Sequence, residues 1–228
     1  MHIPDGYLSP QTYVPLFGVS FLFWSVALKK IKKELSTKQV PYVAMAAVFS
    51  FLIMMFNIPI PGGTTGHAVG AGIIAVLLGP WTAVIALSVV LIIQAMVFGD
   101  GGITAIGANC FNIAVVMSFV SYWVFRLIKG NSGKLSRLSV AAFLSGYIGL
   151  TLSAIITAIE MGIQPIIAHR PDGQPLYAPY PLSIALPVMA LQHLLLFSIV
   201  EGVVTVLLFR YFIKHEPELI HAVSQGEA

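Results

Sequence analysis

Seven apolar runs, near residues 11–28, 40–58, 66–79, 81–98, 103–125, 138–162 and 182–213, fill most of the chain and leave only short polar stretches between them. About 20 helical residues cross a hydrocarbon core. With 57% of its 228 residues hydrophobic, 9% charged and a mean hydropathy of +0.90, the chain is too apolar for a soluble domain of its length. The fold class expected is all-α: a polytopic membrane protein of about seven transmembrane helices, with residues 1–228 as a single integral membrane domain and 215–228 as a polar cytoplasmic tail. The run at 66–79 is short, rich in glycine and closed by Gly79-Pro80. It reads as a half-length or inward-slanting helix whose end must be shielded by protein.

Charge placement sets the orientation. Lys29, Lys30, Lys32, Lys33 and Lys38 follow the first run; Arg126, Lys129, Lys134 and Arg137 lie between the fifth and sixth; Arg210 and Lys214 follow the seventh. Only Arg170 falls on the other side. By the positive-inside rule the N-terminus is outside and the C-terminus cytoplasmic. The net charge of +3 therefore reports topology, and no basic stripe points to nucleic acid. The basic cluster follows the first apolar stretch, the reverse of a secretory leader, so that stretch is expected to stay attached. The single cysteine, Cys110, excludes an internal disulfide.

The opening Met1-His2-Ile3-Pro4-Asp5-Gly6 carries the chemistry. A bulky second residue protects the initiator Met, so a free amine at Met1 is expected. That amine, the backbone nitrogen of His2 and its Nδ1 can close a five-membered and a six-membered ring around one metal ion in nearly one plane. A fourth nitrogen would complete a square, which suits Ni(II) or Cu(II), whereas Zn(II) prefers a tetrahedron and Mg(II) or Ca(II) prefer oxygens. The plainer alternative is an exposed terminal histidine. His67, in Pro61-Gly62-Gly63-Thr64-Thr65-Gly66-His67-Ala68-Val69-Gly70 on the same membrane face, can supply the fourth nitrogen. Thr64 and Thr65 can hold its other ring nitrogen in the correct tautomer. The ordinary reading of such a histidine is a satisfied polar residue near a helix start. Because the amine and the amide must lose protons, binding should weaken as pH falls.

The N-terminal hexapeptide, the Gly62-Gly63-Thr64-Thr65-Gly66-His67 segment, Phe98-Gly99-Asp100-Gly101-Gly102-Ile103-Thr104-Ala105-Ile106-Gly107-Ala108-Asn109 and Phe111-Asn112 together closely resemble the CbiM/NikM family. These are substrate-binding subunits (S-components) of energy-coupling factor transporters for Co²⁺ and Ni²⁺. The resemblance implies a seven-helix S-component in the cell membrane of a prokaryote, with an extra N-terminal helix. It also implies residues 1–10 inserted into the core, and a metal held by Met1, His2 and His67 as transported substrate, with no resident cofactor. The implied partners are a transmembrane coupling subunit, ATPase subunits and a small accessory membrane subunit. Nickel and cobalt both stay open.

Other residues carry weaker expectations. Asp100 either helps a cation enter or terminates a turn, and the turn is favoured. Asn109 and Asn112 resemble family positions and are expected to hydrogen-bond the loops over the site. Cys110 is expected to pack, since a thiolate would favour zinc or Cu(I). Glu160 is expected near the outer surface and solvated. Glu201 lies deeper and is expected to pair with His193, eight residues and about two turns earlier. Ala46 and Ser50 form a small-residue surface, the resemblance-based candidate for contact with the coupling subunit.

Gly130-Asn131-Ser132-Gly133-Lys134 lacks the first glycine of a Walker A loop, because Ile128 stands in its place. An intramembrane metallohydrolase would need an open coordination position and a general base, typically on a His-Glu-x-x-His helix, and the chain contains none. A stand-alone channel or secondary carrier, the remaining alternative, calls for polar residues spread through the membrane midplane, and the helices offer few.

Overall fold

The computed structural model describes residues 1–34, 39–60 and 64–216, with the backbone alone at Glu34 and Thr64. Lys38, Pro61-Gly62-Gly63 and the tail from residue 217 lie outside the described residues.

Among the described residues seven helices form the body: α1 (Pro10–Glu34), α2 (Val40–Met54), α3 (Ala71–Leu78), α4 (Pro80–Phe98), α5 (Ile106–Lys129), α6 (Leu135–Ile167) and α7 (Leu182–His215). Five of them, α1 and α4 to α7, are long and apolar enough to cross a bilayer. The described basic residues of the cytoplasmic set lie at the C-terminal ends of α1, α5 and α7 and around the turn that starts α6.

The short helix is the centre of the bundle. Residues Ala71 to Leu77 are all buried, and α3 packs against α2, α4, α5, α6 and α7. Gly79, at φ 83°, ends it and Pro80 begins the next helix at its first position, where a missing N–H costs nothing. By contrast α1 is mostly exposed on the outside of the bundle. It is held to α5 where Ser20 Oγ donates to the Gly107 carbonyl at 2.7 Å and to α4 where Trp24 Nε1 donates to Ser88 Oγ at 2.8 Å. A Cβ at Gly107 would sit 2.4 Å from the Phe17 Cα, so the two helices meet backbone to backbone.

Two features differ from the all-helical expectation. Ile58–Ile60 (β1) and Thr64–Gly66 (β2) form a small antiparallel hairpin, with Pro59 opposite Thr65. Residues 67–70 are irregular rather than helical, so α3 begins at Ala71, four residues after His67. The run is apolar enough for a helix, but Gly70 takes the left-handed conformation at φ 78°. A π-helical stretch ends α4 (Gln94–Phe98), and others interrupt α5 (Cys110–Val116) and α7 (His193–Phe197). Such irregularities are frequent at functional sites.

Candidate metal site

The N-terminal segment turns back into the protein. Met1 and Ile3 are fully buried and His2 is nearly so. Its seat is made mainly by the loop after α4 and the start of α5. Ile3 N–H donates to Asn109 Oδ1 at 2.8 Å, and Asn109 Nδ2 donates back to the Ile3 carbonyl at 3.1 Å. Gly102 N–H also donates to that carbonyl at 2.9 Å. Asp5 accepts from the Ile103 and Thr104 N–H groups and from the Thr104 hydroxyl at 3.0, 2.9 and 2.6 Å. Burial works to raise the Asp5 carboxyl, but these bonds together hold it below its ordinary value. Farther along, Ser9 N–H donates to Gln164 Oε1 at 2.9 Å.

Glycine makes this seat possible. A Cβ at Gly102 would lie 2.4 Å from Asp5 N and 2.7 Å from Pro4 C, backbone atoms that cannot swing aside. Gly102→Ala is therefore expected to unseat the segment at an overpacking cost of roughly 1–3 kcal/mol, which should speed hydrogen exchange at the Ile3 amide by roughly 10-fold or more. Exchange measured on both proteins checks it, and equal protection would mean that the seat adapts.

The inserted end meets the 64–70 segment. The His2 and His67 rings lie 4.7 Å apart between centroids, tilted by 33°. The Met1 amine donates to Thr65 Oγ1 at 3.3 Å. Burial pushes the amine down to about 4, against the opposing pull of the Asp100 charge. The amine is thus a free base at neutral pH, with a lone pair and no proton to shed. His67 lies well below its ordinary value, first through burial and then through the amine and His2 charges. Its Nδ1 faces the Ala68 carbonyl at 3.1 Å. A carbonyl only accepts, so Nδ1 carries the proton and Nε2 the lone pair. Among the described residues that Nε2 is buried without a hydrogen-bond partner.

The His2 ring is engaged differently. Nδ1 donates to Asp100 Oδ1 at 2.9 Å, and Asp100 Oδ2 accepts from Asn57 Nδ2 at 3.0 Å. Burial lowers the His2 value and Asp100 opposes it. Burial alone would raise Asp100, yet the His2 and Asn57 bonds with the nearby positive charges hold it below the usual carboxylate range. Asp100 is therefore part of the site and more than the end of a turn. Gly99 and Gly101, both at positive φ, carry the chain around it.

Several further expectations are corrected. Thr65 touches the Met1 amine rather than the His67 ring, and the Thr64 side chain lies outside the described residues. Asn109 does bind the inserted segment, but Asn112 does not: its Nδ2 donates to Glu160 Oε2 at 2.7 Å and to Thr157 Oγ1 at 3.1 Å. Glu160 is buried, because α6 continues past it to Ile167. Glu201 does not pair with His193. It accepts backbone N–H groups from Val69, Gly70 and Gly72, while His193 Nδ1 donates to the Met189 carbonyl at 2.9 Å. His193 is buried beside Phe197, whose ring fills the space a Cβ on Gly66, the neighbour of His67, would take. Cys110 is buried in the core as a free thiol. Ser50 faces inward, its hydroxyl donating to the Val69 carbonyl at 2.7 Å. The outward stripe of α2 is instead Pro41, Ala44, Met45, Val48 and Leu52.

Among the described residues no three His, Cys, Asp or Glu side chains converge as a metal-holding group. A cation bound between His2 and His67 would have to take its remaining donors from the main chain or the amine. The loop at 130–134 is a polar turn between α5 and α6.

Fold and site together define a multi-pass membrane protein whose inserted N-terminus faces a buried histidine. Residues 2–219 match the family model described as CbiM, cobalt uptake substrate-specific transmembrane region. The chain is 52% identical over 221 residues to the fused nickel transport protein NikMN of Rhodobacter capsulatus, covering 96% of this chain and 64% of that one. It is 47% identical over 219 residues to the probable fused nickel transport protein LarMN of Lactiplantibacillus plantarum, covering 95% and 66%. The chain thus spans slightly under two thirds of the length of these relatives. A crystal structure of a transition metal transporter superposes with a TM-score of 0.91 at 44% identity, covering 100% of both chains. The chain belongs to the CbiM family, a family of transporter membrane subunits rather than enzymes.

Proposed function

We propose that this chain is the substrate-binding subunit of an ATP-driven energy-coupling factor transporter that takes up Ni²⁺ or Co²⁺, and that residues 1–10 are its metal-binding segment. The ligands in this reading are the Met1 amine, the main-chain nitrogen and Nδ1 of His2, and His67 Nε2. The observation that carries it is the burial of Met1 and His2 against His67, whose Nε2 lone pair has no hydrogen-bond partner among the described residues. A terminal segment is normally loose, and one held in the core by Asn109, Gly102 and Asp5 is there for a reason other than packing alone.

The chemistry follows from the atoms. Only Nδ1 can close a six-membered ring with the amide nitrogen of its own residue, so the ion must draw the His2 ring away from Asp100. The imidazole proton then moves to Nε2, and the ion displaces the amide proton, which Ni(II) and Cu(II) can do because planar ligation rewards strong nitrogen donors. Burial has already removed the amine proton. The ion's +2 charge meets one amidate, with the Asp100 carboxylate beside it at the mouth.

Energy has to come from outside the chain, which has no Walker A loop. A transmembrane coupling subunit, ATPase subunits and a small accessory membrane subunit are the expected partners. Names of relatives such as NikMN, and their length beyond the matched region, support a multi-part machine. The test is metal accumulation in cells that express this chain alone or with its coupling and ATPase subunits. Energised uptake is expected only with the partners. Robust ATP-independent uptake by the chain alone would identify a stand-alone carrier or channel instead.

A further inference from the structure

Glu201 lies near the middle of α7 and is fully buried. Its Oε2 accepts the Val69 N–H at 2.7 Å and the Gly70 N–H at 2.9 Å, and its Oε1 accepts the Gly72 N–H at 3.2 Å. These three donors belong to one elbow, the point where the irregular segment carrying His67 becomes α3. The same elbow is gripped from α2. Ser50 donates to the Val69 carbonyl at 2.7 Å, and the Phe49 ring covers Gly70 where a Cβ would stand, at 2.5 Å. Gly70, at φ 78°, turns the chain by a conformation that glycine adopts without strain.

Such an elbow has no intrinsic reason to hold. Neither helix nor hairpin takes these N–H groups, and lipid or packed protein offers no water in their place. Val69 is two residues from His67, and the His67 tautomer is set by the intervening Ala68 carbonyl. The backbone path fixed at 69–72 therefore fixes the place of the ring.

We propose that Glu201 is a positioning residue for the metal site: by accepting three N–H groups of the Val69–Gly72 elbow it holds His67 Nε2 where the ion arrives, without touching the ion. The inference rests on His67 being a ligand. Glu201 acts from α7 on a ring that no α7 residue needs to reach, so it belongs to the site although it is remote from the metal.

The experiment is a double-mutant cycle on the full chain in detergent, using Ni²⁺ as the probe. Glu201→Gln keeps the shape, but its amide end cannot accept the Gly72 N–H. Glu201→Gln is expected to weaken nickel binding by about 10- to 100-fold, the range for a supporting residue, and to lose one nitrogen from the nickel-edge absorption signal. The decisive quantity is the pair. If Glu201 works through His67, the double variant with His67→Ala binds no worse than His67→Ala alone. Additive losses, or wild-type affinity in Glu201→Gln, would overturn the proposal. Wild-type affinity in His67→Ala would overturn the ligand assignment instead, and the two failures are thus distinct. Should Glu201→Gln not fold, hydrogen exchange in the wild-type protein decides. Val69, Gly70 and Gly72 amides are expected to be equally protected with and without nickel, and free exchange in the metal-free protein would contradict a fixed elbow.

Discussion

One residue added ahead of Met1 is expected to lower nickel affinity by at least about 100-fold, more than the loss of a supporting residue costs. Two effects act together. The extension turns a basic amine into an amide, which removes one of three donors in the fused chelate rings. It also has nowhere to go, because Met1 is fully buried with its nitrogen 3.3 Å from Thr65 Oγ1. Calorimetry on protein carrying an N-terminal tag, before and after cleavage that leaves Met1 as the first residue, separates this from general damage: binding should return with the amine. An uncleaved protein that binds nickel as tightly as the native chain would remove the amine from the ligand set. His2→Ala, which keeps the amine and the amide but takes away the second ring, should likewise abolish tight binding.

His67→Ala is expected to be nearly as damaging to binding, over and above what the loss of a buried ring costs the fold. The His67 ring supplies the fourth nitrogen from a different part of the chain, so its loss leaves a three-nitrogen chelate open to water. Affinity should fall by about 100-fold or more. In the metal-free protein, however, Nε2 has no hydrogen-bond partner among the described residues, and Nδ1 bonds only the adjacent Ala68 carbonyl. Removing the ring forfeits about one ordinary hydrogen bond, roughly 1 kcal/mol, and the packing of a fully buried ring, a further cost of roughly 2–4 kcal/mol. Melting curves with and without nickel check both halves. At nickel 1,000-fold above its dissociation constant, wild type should gain about 4 kcal/mol by mass action, and the variant should gain little. A variant that gains as much from nickel as wild type does would show that His67 is structural rather than a ligand.

The membrane plan was legible because it depends on sums. Apolar runs of about 20 residues and lysines gathered after the first run need no knowledge of neighbours. The chelating nitrogens of Met1-His2 were legible through chemistry, whereas the insertion of the terminus was legible only through the resemblance of the Met1–Gly6 opening to the CbiM/NikM family. What sequence could not convey is where backbone and side chains find distant partners. The 66–79 run has the hydropathy of a helix, yet residues 67–70 stay outside the helix, where Glu201 and Ser50, far away in sequence, take up their backbone groups. Glu201 and His193 are two turns apart only in a regular α-helix. The π-helical stretch from His193 to Phe197 changes the register, and each side chain bonds backbone instead. Glu160 sits near the end of its apolar run but well inside α6, where Asn112 reaches it. For Asp100 the sequence left two readings, a part in cation entry or the end of a turn, and favoured the turn. Glycines on both sides of it, at 99, 101 and 102, permit the close backbone approach that lets the loop meet the N-terminal segment.

The most direct measurement is nickel-edge X-ray absorption, with the optical and magnetic spectra, on full-length protein bearing a native Met1 amine and one equivalent of Ni²⁺. Four nitrogens in a square plane and a low-spin, diamagnetic ion are expected, retained against excess Zn²⁺ and rivalled by Cu²⁺. A tetrahedral or octahedral first shell, or displacement by equimolar zinc, would contradict ligation by Met1, His2 and His67.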